Sequence, residues 1–166
     1  GKPAVDTIRI FVVQEPTTAL TLYETGELDY LELPPVAIPH YKSSPEYRNK
    51  PQLRGYYYGF NVKKPPFNNV LVRQAFAHAI DRSRIPIFLK GGELPSSSWI
   101  PKGMFGYNEN IGSKFDPKKA RDLLAQAGYP EGKGFPKVTA AFNTGDLNHF
   151  IGEFIQAQWK EHLNVH

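Results

Sequence analysis

An α/β fold is predicted by the alternation, along one chain, of stretches with a two-residue apolar period and stretches with a helical one. Residues 7–13 and 56–60 alternate in the first way, whereas residues 70–81 and 147–163 place their apolar side chains on one helical face. Prolines, glycines and asparagines fall between these stretches, where turns are needed.

Taken in order, residues 7–13 put Ile8, Ile10 and Val12 on one side and Arg9, Phe11 and Val13 on the other, a strand pattern. Pro16 suits the first turn of a short helix, Ala19, Leu20 and Tyr23 give it an apolar stripe, and Gly26 supplies a left-handed stop. Residues 28–32 read as the next strand, far enough on for a right-handed crossover between parallel strands. That unit ends at Leu33, Pro34 and Pro35, and ligands of open α/β sheets gather at such carboxyl ends. Residues 34–51 then turn to proline, serine and charge, which excludes a long helix and leaves room for one short helical turn around residues 40–44.

Residues 56–60 form an aromatic strand with Tyr56, Tyr58 and Phe60 on one face and Tyr57 on the other. Lys63, Lys64, Pro65 and Pro66 end it, because neither proline donates to a ladder and each disfavours helix in the residue before it. Asn68 and Asn69 are capping residues for a helix over residues 70–81, whose buried stripe is Val72, Phe76, Ala79 and Ile80, with Arg73, Gln74 and His78 elsewhere. Residues 91–112 are rich in glycine and serine and read as a long loop, a length at which loops are usually functional or flexible. Asp116 followed by Pro117 starts another helix, with Ala120, Leu123, Leu124 and Ala127 inward, and Gly128 and Pro130 close it. Residues 137–142 read as a short strand and residues 143–146 as turn and cap. The last helix carries Leu147, Phe150, Ile151, Phe154, Ile155, Trp159 and Leu163 on a continuous stripe.

The totals narrow the function. At 40% hydrophobic and 22% charged residues the composition is that of an ordinary globular chain, and no apolar run approaches the roughly 20 residues of a membrane span. The net charge of +4 is scattered along the chain, so nucleic acid is not implied. The absence of cysteine removes disulfides, thiolate nucleophiles and cysteine-ligated zinc. The five histidines, His40, His78, His149, His162 and His166, form no metal-ligand motif, and no serine sits in a nucleophile elbow. Neither a catalytic residue, a metal nor a cofactor is therefore expected.

One stretch carries a family resemblance: an aromatic strand ending in Asn61, then Lys64-Pro65-Pro66-Phe67-Asn68-Asn69-Val70, then Val72-Arg73-Gln74-Ala75 and Ala79-Ile80-Asp81-Arg82. It resembles the family 5 extracellular solute-binding proteins of ABC importers, the oligopeptide- and dipeptide-binding proteins. Gly26-Glu27-Leu28-Asp29, the segment from Phe115 to Pro130, and Phe142-Asn143-Thr144 extend the likeness over nearly the whole chain. The resemblance implies a periplasmic-binding-protein type II-like fold and an internal piece of a longer protein. Residues 1–54 would be the end of the first lobe and the inter-lobe connection, and residues 55–166 the first part of the second lobe. It implies capture of short peptides outside the cytoplasmic membrane and delivery to ABC permease subunits. The setting would be periplasmic or extracellular, with a lipid anchor in a Gram-positive host. The same fold binding a nickel complex, haem or oligosaccharide, or serving as a sensor, is the alternative.

Five candidate ligand residues follow. Glu32 and Leu33 match the family's cleft-facing segment, and a carboxylate there suits a peptide amine. Tyr56 and Tyr58 offer rigid amphipathic rings to a cleft, or else pack on their own helices. Asn61 either meets a ligand backbone or closes the turn before Pro65. Arg73 and Arg82 are expected to hold carbonyls and the helix end, not ligand.

Overall fold

A computed structural model describes residues 4–50 and 52–166, which divide into two compact units, Gly1–Arg48 and Asn49–His166. The first is small and thinly cored. Pro16 stands at the first position of α1 (Pro16–Glu24), and the helix ends at Thr25 and Gly26, where Gly26 N–H reaches the Tyr23 carbonyl. The α2 helix (Ile38–Tyr41) is one turn long and begins two residues before the expected turn. Within this unit only Ala19 and Ala37 are buried hydrophobics among the described residues, so polar contacts hold much of it. Tyr23 donates to Glu46 Oε2 at 2.8 Å, and the Tyr41 hydroxyl donates to Glu24 on α1. Each carboxylate raises the pKa of the phenol that donates to it, because the bond exists only while the phenol keeps its proton.

The second unit is built on three longer helices: α3 (Val70–His78), α5 (Pro117–Gln126) and α6 (Asp146–Leu163). Asn69 Oδ1 accepts from Leu71 N–H at 2.9 Å and Asp116 Oδ1 from Lys119 N–H at 2.9 Å, so the caps expected for α3 and α5 are made by the asparagine or aspartate before the first turn, whereas α6, expected to be capped from residues 143–146, starts after Gly145 with no side-chain cap. The α3 helix is shorter than the periodicity predicts. The Asp81 amide is drawn off to Gln158 Oε1 at 2.7 Å, and Arg82 donates to the carbonyls of Ala77 and Ile80. A 3-10 turn (Arg82–Arg84) follows, and then α4 (Ile85–Leu89), a five-residue helix too short to show a period in the sequence.

Phe76 organises the larger core cluster, ringed by Phe67 at 5.2 Å, Phe135 at 5.3 Å and Trp159 at 4.8 Å between centroids. Val72, Ala75, Ala79, Ala120, Leu124, Leu163 and Val165 fill the space around it. The small alanines of α3 and α5 let these two helices approach closely, and Phe supplies the volume. A second cluster joins Ile80 and Leu89 to Ile151 and Ile155 of α6. Trp159 touches both clusters and donates its indole N–H to the Phe76 carbonyl at 3.1 Å. At the far end of α6, a 3-10 turn (Pro130–Gly132) meets the helix terminus, with Asn164 Nδ2 donating to the Glu131 carbonyl at 3.0 Å. Gly132 is at φ +74°, and a β-carbon there would lie 2.6 Å from the Leu163 and Asn164 carbonyl oxygens, so only glycine fits without displacement.

The expected sheet is absent among the described residues. Residues 7–13, 28–32, 56–60 and 137–142 are non-helical and pair in no ladder, so the parallel crossover of the first unit is not formed, and the α part of the α/β expectation is present without its β part. The reason is physical: alternation prepares a strand, but a ladder exists only where a second strand lies about 4.8 Å away. The alternation itself survives, since Tyr58 and Phe60 turn to the two core clusters while Tyr57 turns elsewhere.

Candidate functional site

The stretch before α3 offers Tyr56, Tyr58 and Asn61 either to a ligand or to packing and turn closure, and the structure gives each a different environment. Tyr56 is exposed, and its hydroxyl donates to Asn148 Oδ1 near the start of α6. Asn148 Nδ2 in turn reaches the Thr144 carbonyl at 3.4 Å, so the tyrosine is tied to the turn that opens α6. Tyr58 packs against the cluster of Ile80, Leu89, Ile151 and Ile155, and its hydroxyl is buried with no hydrogen-bond partner among the described residues. Burial, and secondarily the neighbouring Tyr56, push the Tyr58 phenol above its ordinary value. Asn61 Oδ1 accepts from Lys63 N–H at 3.2 Å while its carbonyl accepts from Lys64 N–H at 3.2 Å; the amide closes the turn before the prolines.

Glu32 and Leu33 belong to the first unit, where Glu32 is exposed and Leu33 half-buried. The five candidates therefore fall into two groups: two in the first unit and three in the second.

Residues passed over by the sequence reading stand out beside them. Tyr57 contacts Trp99 at 4.7 Å between ring centroids, and both rings are exposed. Alternation places Tyr57 opposite Tyr58, but nothing local links it to a residue 42 positions on. His78 is buried rather than on the open face of α3, with Nδ1 2.7 Å from the Lys114 carbonyl. Gln158, at 2% exposure, is a polar residue inside the α6 stripe. Arg73 donates to the Phe67 and Asn68 carbonyls, and Arg82 reaches the Ser113 carbonyl at 3.2 Å in addition to the end of α3, the supporting roles expected of both.

Among the described residues no group of three His, Asp or Glu side chains is arranged to hold a metal ion. A surface hollow of about 310 Å³ lies at the end of α6, lined by Glu153, Gln156, Ala157, Lys160, Val165 and His166, and none of the candidate ligand residues borders it. No helix is long and apolar enough to cross a membrane among the described residues.

Comparison with known proteins bears on these groups. The family described as "Bacterial extracellular solute-binding proteins, family 5 Middle" matches residues 1–166. The chain is 28% identical to the oligopeptide-binding protein OppA of Bacillus subtilis, over 95% of this chain and 31% of that protein. It is 34% identical to heme-binding protein A of Haemophilus influenzae, over 80% of this chain and 25% of that one. A crystal structure of a periplasmic oligopeptide-binding protein, OppAIV of Borrelia burgdorferi, superposes with a TM-score of 0.71 at 35% identity, over 93% of this chain and 32% of that chain. The chain thus spans about a third or less of the length of these relatives.

Proposed function

Because the chain belongs to the bacterial extracellular solute-binding proteins of family 5, we propose that it is part of the substrate-binding component of an ABC importer. That component captures short peptides outside the cytoplasmic membrane and passes them to permease subunits. The observation that carries this reading is that relatives named for oligopeptide binding align with nearly all of the chain. The four extended segments support it physically. Each presents unpaired backbone N–H and C=O groups, and in this reading they complete their ladders with strands elsewhere in a longer protein, which restores the α/β sheet of a type II binding-protein fold.

In the same reading, residues 1–54 end one lobe and residues 55–166 begin the other, and the lobes close over the peptide by a hinge. Glu32 takes the peptide amine, Leu33 and Tyr56 line the cleft, and Asn61 offers its remaining amide hydrogens to the ligand backbone. Tyr58, packed on the Ile80, Leu89, Ile151 and Ile155 cluster, backs the run that carries Tyr56 and Asn61. No bond is made or broken; the protein binds and releases, and it is not an enzyme. Its membrane association runs through the permease or a lipid anchor.

A second reading, haem as the ligand, is favoured by the similarity to heme-binding protein A. Native mass spectrometry of the full-length protein purified from its host separates the two. A series of masses matching short peptides is expected; a single haem mass with Soret absorption replaces the peptide.

A further inference from the structure

Asn49 and Leu53 stand on different sides of two divisions. In the lobe reading above they belong to the first lobe, which ends at residue 54, yet they fall within the compact unit Asn49–His166. Their neighbours there lie on the loop of residues 91–112, which the same reading gives to the second lobe. Asn49 lies over Gly92, so close that a β-carbon on that glycine would stand 2.8 Å from Asn49 Nδ2. Leu53 lies over Gly103, with its Cδ2 3.5 Å from the place a β-carbon would take. Immediately past residue 54, Gly55 faces the Trp99 carbonyl of the same loop across 4.0 Å, measured in the same way.

The loop is tied so that it has little freedom to follow a moving partner. Beside Gly92, Glu93 Oε2 accepts from Gly91 N–H at 3.0 Å. Ser98 N–H donates to Ser96 Oγ at 3.1 Å, Ile100 N–H to Ser98 Oγ at 3.2 Å, and Ser97 Oγ to the Glu109 carbonyl at 3.3 Å, which ties the loop across its width. Met104 N–H reaches the Pro101 carbonyl at 3.2 Å and Tyr107 N–H the Met104 carbonyl at 3.2 Å, two turns that fix the backbone around Gly103. Gly92 and Gly103, at φ +86° and +97°, each combine a left-handed turn with a close approach, which glycine alone does without strain. The far end of the loop is held to α3 through Ser113 and Lys114. A bend at residues 54–55 would carry Asn49 and Leu53 away from this loop and break both contacts. Asn49, farther from the bend, would move the more.

We propose that the loop of residues 91–112 is a strap across the junction of the two lobes, made when the lobes approach and released when they part, and that it slows the escape of a bound peptide. The inference rests on the lobe and peptide readings above and adds a device to them. Contacts between a segment of one lobe and a loop of the other stabilise the closed form without touching the ligand, so they lengthen its residence while its own contacts stay the same. Leu53 is 62% exposed, so its substitution removes the contact with the loop and disturbs neither core cluster.

The test uses the full-length protein, with trialanine as the probe or the co-purified peptide where trialanine does not bind. Leu53→Cys and Lys102→Cys, set in a stretch that has no cysteine of its own, are joined by a short bismaleimide after any other cysteine of the protein is replaced by serine. The cross-link is expected to form, and saturating peptide to speed it by about threefold or more, because a ligand that closes the lobes raises the population in which the strap is made. Leu53→Ala should speed peptide release, followed by surface plasmon resonance, by about two- to fivefold, the worth of partly burying one leucine. Its association rate and Tm should stay unchanged, and Leu53→Met should keep the slow release. Absence of the cross-link, slower cross-linking with peptide, or release from Leu53→Ala at the unaltered rate overturns the strap. If the unaltered protein binds no trialanine and carries no peptide in its native mass spectrum, the peptide reading itself falls, and peptide retention with it; that failure is told apart because the cross-link still forms.

Discussion

Arg82 shows how much one side chain can hold. Its guanidinium donates to the carbonyls of Ala77, Ile80 and Ser113, and its partial burial lowers its pKa without bringing neutralisation within reach of ordinary pH. Arg82→Ala should therefore destabilise the full-length protein by about 1–3 kcal/mol in urea unfolding, as expected for lost bonds to a charged donor, and Arg82→Lys should recover only part. Tyr58 makes the opposite case, because its hydroxyl is buried with no partner among the described residues. Tyr58→Phe should leave stability unchanged or raise it by about 1 kcal/mol. The sign with pH is also fixed: a phenol held above its ordinary value of 10.0 contributes fully below that pH, and the contribution is lost as pH rises toward the folded-state value. Alkaline unfolding measured above pH 10 should accordingly fall less steeply in Tyr58→Phe. Arg73 and Arg82 were legible as supports from their places at the ends of a clear helix. His78 and Gln158 were not, because helical periodicity assigns polar residues outward. What draws Gln158 inward is the amide of Asp81, 77 residues away.

Among the elements, the starts of α3 and α5 were the most readable features, since each is set by a capping side chain within one turn. Asp116→Ala removes the bond to Lys119 N–H and should cost about 0.5–2 kcal/mol, with Asp116→Asn or Asp116→Ser nearly neutral by thermal denaturation. The end of α3 was misjudged because its last amide is claimed by a distant side chain, and α4 was missed because five residues carry no period. The meeting of the Pro130–Gly132 turn with the end of α6 was equally hidden, although Gly132 was visible as a glycine. Gly132→Ala should destabilise by about 1–3 kcal/mol through the left-handed backbone and the two facing carbonyls, measurable as a lowered Tm, whereas the same change at Gly128, where space is open, should cost less. Strand patterns were legible as alternation. Their pairing was not, because alternation names a face and not a partner.

At the scale of the whole chain, apolar faces lie open. Ile8, Ile10 and Val12 are 77%, 82% and 93% exposed, and their backbone joins no ladder among the described residues. Amide hydrogens of residues 7–13 in the isolated 166-residue chain should exchange at rates near those of an unfolded peptide and become protected in the full-length protein; protection in both would mean that the chain finds its own partner strand. The isolated chain should also bind trialanine too weakly for calorimetry, since part of a cleft leaves much of a ligand in water, and a submicromolar dissociation constant would contradict that. The lobe boundary near residue 54 is what the family resemblance implies, whereas Gly1–Arg48 and Asn49–His166 are the units within which this chain's own side chains pack.

The fastening of residues 113–116 to the end of α3 has a practical side. The His78 ring meets the Lys114 carbonyl, the His78 carbonyl accepts from Asp116 N–H at 2.9 Å, and Arg82 takes Ser113, while Leu89 anchors the other flank in the Ile151 and Ile155 cluster. The stretch between is footed at both ends, so its length is a free variable for the helices beneath it, and doubling it adds only about 0.6 kcal/mol of closure entropy. Phe105, fully exposed at its tip, is therefore a port at which a fluorescent reporter domain can be spliced in.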